Sequence, residues 1–193
     1  MLVVEGIESA EALLSRDAKL KAAVEMVVER SSQSADLRYF ADGGTAVGME
    51  VPMDGALTDA LLEAALPSLG IGGEAGTETR PQAPANGILV DATTCAVVPA
   101  LAPRLLDPEG HAVYEVGMLL RSVRSSGGAA YLREGSPTSA WPRERIGDAP
   151  RVVRAVRAVG ADLILSAVDA ESLRGDPALH SGRVAILLGG NSP

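Results

Sequence analysis

The sequence predicts an α+β fold, and three observations carry that expectation. A helix-period segment and a hairpin pattern come first. A stretch rich in Gly and Pro follows. Short apolar strands then mix irregularly with short helical segments. The strict strand–helix alternation of a doubly wound parallel sheet is missing.

Each element has its own signal. Glu8 to Arg30 reads as one amphipathic helix, with Leu13, Leu20, Val24 and Val27 at helical spacing and Ser31-Ser32 ending it. Ala35 to Ala41 and Thr45 to Val51 read as a hairpin around the turn Asp42-Gly43-Gly44, and Pro52 stops the ladder. After the turn at Asp54-Gly55, Leu57 to Leu66 suits a short helix with Thr58 as its cap. Pro67 to Asn86 holds four Gly and three Pro without periodicity, which reads as an exposed linker. It divides the chain into a helix–hairpin module (1–66), the linker (67–86) and a strand-rich α+β module (87–193).

The second module opens on the most informative stretch of the chain. Ile88 to Val90 runs into Asp91, and a second strand-like run, Ala96 to Val98, ends in Pro99-Ala100-Leu101-Ala102-Pro103. Arg104-Leu105-Leu106, the turn Asp107-Pro108-Glu109-Gly110 and a strand through Val113 and Tyr114 complete a hairpin. Val116 to Val123 fits either a helix or a strand. Ala129 to Leu132, after Gly127-Gly128, reads as a strand, and Arg133 to Gly147 as a loop holding Trp141. Pro150 to Val159 suits a helix with Val152, Val153, Val156 and Val159 on one face and Arg151, Arg154 and Arg157 outside. Leu163 to Leu165 and Arg183 to Leu188 are buried strands, with Asp169 capping a short helix at Ala170 to Arg174 between them, and His180 lying in a loop.

Composition bounds the function. Hydrophobic residues make up 47% of the chain and aromatics 3%, so the core is Ala, Val, Leu and Ile. Small side chains bury less area each, at roughly 25 cal/mol per Å². Modest monomer stability follows, and subunit association could supply part of the missing burial. The net charge of −8 argues against a nucleic-acid partner. That charge is uneven: residues 1–120 carry −11, residues 121–157 carry +5 through eight Arg, and residues 158–193 carry −2. A basic face meeting the acidic face of another copy is the sharper reading, and a solvated surface the blander one. Cys95 is the single cysteine, which excludes an internal disulfide framework and suits an inert core position. No stretch is long enough to span a membrane, and Met1-Leu2-Val3-Val4 lacks the basic flank and apolar length of a signal peptide.

Catalytic constellations are thin. The glycines at 70, 72, 73 and 76 lack the strand and helix that frame a phosphate loop. Cys95 and His111 lack a third orienting group, and two His with one Cys make a poor transition-metal set, so no cofactor or metal is expected. Asp91, Arg104 and Asp107 are the more telling group. If the corner at Pro99–Pro103 folds the strands together, Asp91 and Arg104 form a bidentate pair, which either braces the sheet edge or binds a ligand.

The segment built on Asp91-Ala92, Pro99-Ala100-Leu101-Ala102-Pro103-Arg104-Leu105, Asp107, Gly110, Val113 and Tyr114 resembles one in the bacterial outer-membrane lipoproteins related to the flagellar basal-disk lipoprotein FlgP and to the lipoprotein-20 family. Arg16 to Leu20, Arg38 to Thr45 leading into Met49 to Met53, Gly147 to Gly160, and Asp162 to Ala170 followed by Arg183 to Leu188 are similar to further pieces of that family in the same order. Thr93-Thr94 departs from the family's arginine-glycine, and its lipidated cysteine has no counterpart here. The resemblance implies no enzymatic activity. It implies export to the periplasm or outer membrane and self-assembly into rings or sheets, with other envelope or flagellar proteins as further partners. A native start at Met1 would instead place the chain in the cytoplasm.

The expectation is therefore a non-enzymatic cell-envelope assembly protein. Its candidate residues are Asp91, Pro99, Pro103, Arg104, Asp107, Gly110 and Tyr114 for structure, and Arg151, Arg154 and Arg157 for self-association. The alternatives are a periplasmic binding module for a small ligand, peptide or cell-wall fragment, and a hydrolase with Cys95 as nucleophile.

Overall fold

Asp17 sets the shape of the N-terminal region in the computed structural model, which describes residues 3–5, 8–30, 32–50, 55–65, 86–119, 121–124, 126–135 and 142–190. Its backbone is extended, and its Oδ1 accepts from Lys19 N at 2.8 Å and Leu20 N at 3.1 Å. This is N-cap geometry, so the expected single helix is two: α1 (Ala10–Arg16) and α2 (Ala18–Glu29). Two short antiparallel strands, β1 (Val3–Glu5) and β2 (Glu8–Ser9), precede them. The hairpin forms as β3 (Ser32–Tyr39) and β4 (Thr45–Glu50), closed at the expected turn, where Asp42 Oδ1 accepts from Gly44 N at 2.9 Å. In α3 (Ala56–Ala65), Thr58 is fully buried inside the helix and does not cap it. The expected linker falls outside the described residues except for Asn86, as does Trp141.

The remaining strands are β5 (Ile88–Ala92), β6 (Leu105–Leu106), β7 (Ala112–Tyr114), β8 (Ala130–Arg133), β9 (Arg151–Val159), β10 (Asp162–Leu165) and β11 (Val184–Leu188). They form one seven-stranded mixed sheet in the order β7-β6-β10-β9-β5-β11-β8. The β9–β5, β5–β11, β11–β8 and β10–β6 pairs are parallel, and the two hairpins β6–β7 and β9–β10 are antiparallel. Short helices fill the connections: a 3₁₀ turn at Val116–Met118, α4 (Arg121–Arg124), α5 (Arg143–Ile146), α6 (Ala167–Leu173) and α7 (Pro177–His180). The fold is α+β.

Three expectations need correction here. Pro150 to Val159 is not a helix: β9 is the longest strand of the sheet. Its valines are β-branched, poor in helices and good on a pleated surface. Their spacing mimicked a helical face, but Val153 and Ala155 point inward while Val152, Val156 and Val159 stay 56–61% exposed. Ala96 to Val98 forms no strand; a single bridge at Ala100, inside the corner, is the only strand pairing in the chain between β5 and β6. Finally, α6 starts at Ala167 with Ser166 as its N-cap, and Asp169 answers from inside the helix: Ser166 Oγ accepts from Asp169 N at 3.1 Å and donates to Asp169 Oδ2 at 2.9 Å.

The main core lies on one face of the sheet. Leu13, Leu20, Leu57, Leu61 and Leu62 from the N-terminal helices belong to the same apolar cluster as Val90, Leu105, Val153, Leu163 and Ile186. Tyr114 is the one aromatic among the buried apolar residues described; all others are Ala, Val, Leu or Ile. A smaller cluster of Leu89, Leu132, Ile146 and Ala185 covers part of the opposite face. The outer side chains of β9 lie beyond that cover.

Candidate functional site

The proline-braced corner is tied down by two tyrosines. Tyr131 Oη accepts from Ala100 N and donates to Ala100 O, both at 3.0 Å. Tyr114, fully buried, donates its hydroxyl to Gly128 O. Gly128 N in turn donates to Leu101 O at 2.8 Å, and a Cβ on Gly128 would sit 2.9 Å from Pro103 Cδ. Pro103 and Tyr114 therefore meet at Gly128, just before β8. Burial raises the hydroxyl pKa of Tyr131 to about 12 and that of Tyr114 further still, so both stay protonated donors.

The expected Asp91–Arg104 pair does not form, because the register sends each to another partner. Arg104 makes the bidentate contact with Asp162, Nε to Oδ1 at 3.0 Å and Nη2 to Oδ2 at 2.5 Å. The pairing of Leu105 with Leu163 puts these two neighbours side by side at the strand entrances. Asp91 lies opposite Arg154 in the β5–β9 ladder and pairs with it at 3.3 Å. Hydrogen bonds from the Thr93 hydroxyl (2.7 Å) and the Thr93 backbone (3.1 Å) lower the Asp91 pKa most. Burial opposes this and Arg154 adds to it. Thr93 closes an Asx turn on Asp91.

Asp107 anchors the β6–β7 hairpin. It accepts from His111 N at 2.8 Å, contacts His111 Nδ1 at 3.1 Å, and receives Arg174 Nη2 at 2.6 Å. Gly110 supplies the left-handed residue of the turn with φ +91°. Burial resists ionisation of Asp107, but the hydrogen bonds from His111 and Arg174 outweigh that and hold the carboxyl below its ordinary value.

Cys95 is half-buried, and its Sγ faces Ala155 O at 3.6 Å. The His111 ring is turned to Asp107, and the His180 ring, at the end of α7, to Met118 O at 3.1 Å. Among the described residues, no imidazole is hydrogen-bonded to the thiol, and no group of three His, Cys, Asp or Glu is placed to hold a metal ion. No helix among them is long and apolar enough to cross a membrane.

The three arginines of β9 do not share one environment. Arg151 reaches Ser172 O at 3.0 Å and Asp176 at 3.8 Å, Arg154 holds Asp91, and Arg157 is exposed opposite Ile164. Arg151 shares the inward face of Val153 at the strand's start, whereas Arg154 and Arg157 lie with Val152, Val156 and Val159 in a mixed apolar and cationic stripe on the outer side of a strand that has neighbours on both edges.

Sequence reasoning counted Arg145 only as one charge in a basic segment. In the fold it is a hub: Nε donates to Gly182 O, Nη1 to Ser126 O and Nη2 to Gly127 O, each at 2.8 Å. It borders a cavity of about 300 Å³ with Val123, Ser126, Glu144, Ser181, Gly182 and Arg183. Its partners are backbone carbonyls from two distant turns, which leave no side-chain signature in the sequence.

Residues 87–190, more than half of the chain, match the family model for the second domain of Treponema pallidum Tp0624. The chain belongs to this family. The matched region begins just before β5 and runs past β11, so it spans the whole seven-stranded sheet and every polar cluster described above. No curated protein matches the chain significantly. The match describes a domain rather than an activity.

Proposed function

We propose that this chain is a non-enzymatic assembly module of the bacterial cell envelope, working by self-association through the outer face of β9. The observation that carries the reading is that face: three valines 56–61% exposed, interleaved with Arg154 and Arg157, on an interior strand of the sheet. An apolar stripe there costs free energy in water and gains it when covered. The occupant is a second copy of the chain. Its acidic half, −11 over residues 1–120, complements the +5 of residues 121–157. A basic patch meeting a different, acidic patch is a heterologous contact, which propagates into rings or filaments. The FlgP-like resemblance points the same way, toward a ring or disk outside the inner membrane, in which flagellar or other envelope proteins are further partners.

The test is particle mass by light scattering at low and high salt, for the native chain and for Val156→Asp and Arg157→Glu. The expected result is an assembly well above the 19.8 kDa chain mass that shrinks with salt and in both variants. A monomer under every condition, or assemblies indifferent to both substitutions, would overturn it.

A further inference from the structure

The cavity between α4, α5 and the turn joining α7 to β11 is lined by Arg145, a cation that the fold holds through uncharged groups. Arg145 is half-buried, and all three of its hydrogen-bond partners are backbone carbonyls. Carbonyl dipoles satisfy donors but carry no net charge. Among the described residues, no carboxylate lies in ion-pair contact with this guanidinium. Burial depresses its pKa, the mark of a cation kept from water, and the neighbouring Tyr114 offsets this only in part. A guanidinium has five N–H donors, so two remain after the carbonyl contacts. Arg183 and the Ser126 residue line the same space, which brings a second cation and a hydroxyl to it.

We propose that this cavity is a binding site for a small oxyanion, a phosphate or a carboxylate group, with Arg145 as its principal donor and Arg183 as the second cation. The size agrees: about 300 Å³ lies at the lower end of small-ligand pockets, roughly 300–1,000 Å³, and admits an inorganic ion or a short carboxylic acid. An anion there would supply the charge that buried guanidinium groups ordinarily find in a carboxylate. Glu144, on the same lining, opposes it and sets an upper limit on affinity. The ligand would also join three separate pieces of chain: the Ser126–Gly127 turn, α5 and the Gly182 turn.

Arg145→Ala removes three carbonyl contacts as well as the charge, so two surface variants carry the test. Sodium phosphate and sodium succinate are titrated separately against the purified chain, with sodium chloride at matched ionic strength as control. Thermal melting and calorimetry are the readouts. Saturable binding is expected for at least one, with a melting rise of roughly 5 °C at a hundredfold excess over Kd. Phosphate and succinate separate the two ligand sources. Ser126→Trp, which obstructs the cavity from an exposed position, should abolish the effect. Glu144→Gln, which removes the opposing charge, should tighten binding about fivefold. No saturable binding by either anion would overturn the proposal. So would binding that survives Ser126→Trp, or that is unchanged or weakened in Glu144→Gln.

Discussion

At the scale of single residues, Asp107 makes the clearest case for a charge placed by the fold. Its carboxylate faces His111 and Arg174, and its folded-state pKa lies below the ordinary 3.8 despite burial. A depressed carboxylate pKa stabilises the folded state above the unfolded value, near pH 4, and that contribution disappears as pH falls through the lower folded value. Acid unfolding followed by circular dichroism from pH 5 to 2 should therefore be less steep in Asp107→Asn, and an identical slope would show that Asp107 is not coupled to folding. Gly189 is a steric counterpart: a Cβ there would lie 2.2 Å from Thr93 O, a backbone atom that cannot swing aside. Gly189→Ala should cost about 1–3 kcal/mol in urea unfolding, as overpacking typically does. An unchanged midpoint would mean that the turn after Asp91 yields freely. Both positions lie in loops, where the sequence marks a turn but not the group it packs against.

Elements were legible in proportion to how local their cause is. The Asp42-Gly43-Gly44 hairpin and the Asp107–Gly110 turn came straight from turn chemistry, and β5, β8, β10 and β11 from short apolar runs. β9 was not legible, because four valines at positions 152, 153, 156 and 159 satisfy a helical period while the flanking strands that make a ladder for them lie far away in sequence. The same distance hid the partner of Arg104. Asp162 is 58 residues on, whereas Asp91 was the nearer carboxylate on a recognisable strand. Helix starts are local and carry their own prediction. Ser166→Ala removes both the N-cap acceptor and the donor to Asp169, and should cost about 1 kcal/mol of global stability by chemical denaturation. A change within error would show that α6 is held by Ala170 and Leu173 alone, the two residues it buries.

For the whole molecule, the question is whether the N-terminal helices and the sheet unfold as one body. The stretch around residues 67–86 reads as a linker, which suggests two independent units. The core argues for one. Leu13, Leu20, Leu57, Leu61 and Leu62 all sit in the apolar cluster that includes Leu105, Tyr114, Leu163 and Ile186, and residues of α3 approach α4. Side chains this small bury little area apiece, so neither half has much core to spare. Leu61 is 1% exposed, and truncating a buried leucine costs about 2–5 kcal/mol. For a chain of this size each kcal/mol is worth roughly 2–4 °C. Leu61→Ala should thus lower melting by about 5–15 °C in one transition. Two probes can be followed: near-ultraviolet ellipticity, to which the packed Tyr114 and Tyr131 of the sheet contribute, and far-ultraviolet helical ellipticity, to which α1–α3 contribute more residues than all later described helices together. Coincident curves shifted by the same amount mean that the helices complete the core of the sheet. A helical signal that melts early while the tyrosine signal keeps its native midpoint means that the helix–hairpin region is a separate module, and that the sheet is stable without the five leucines.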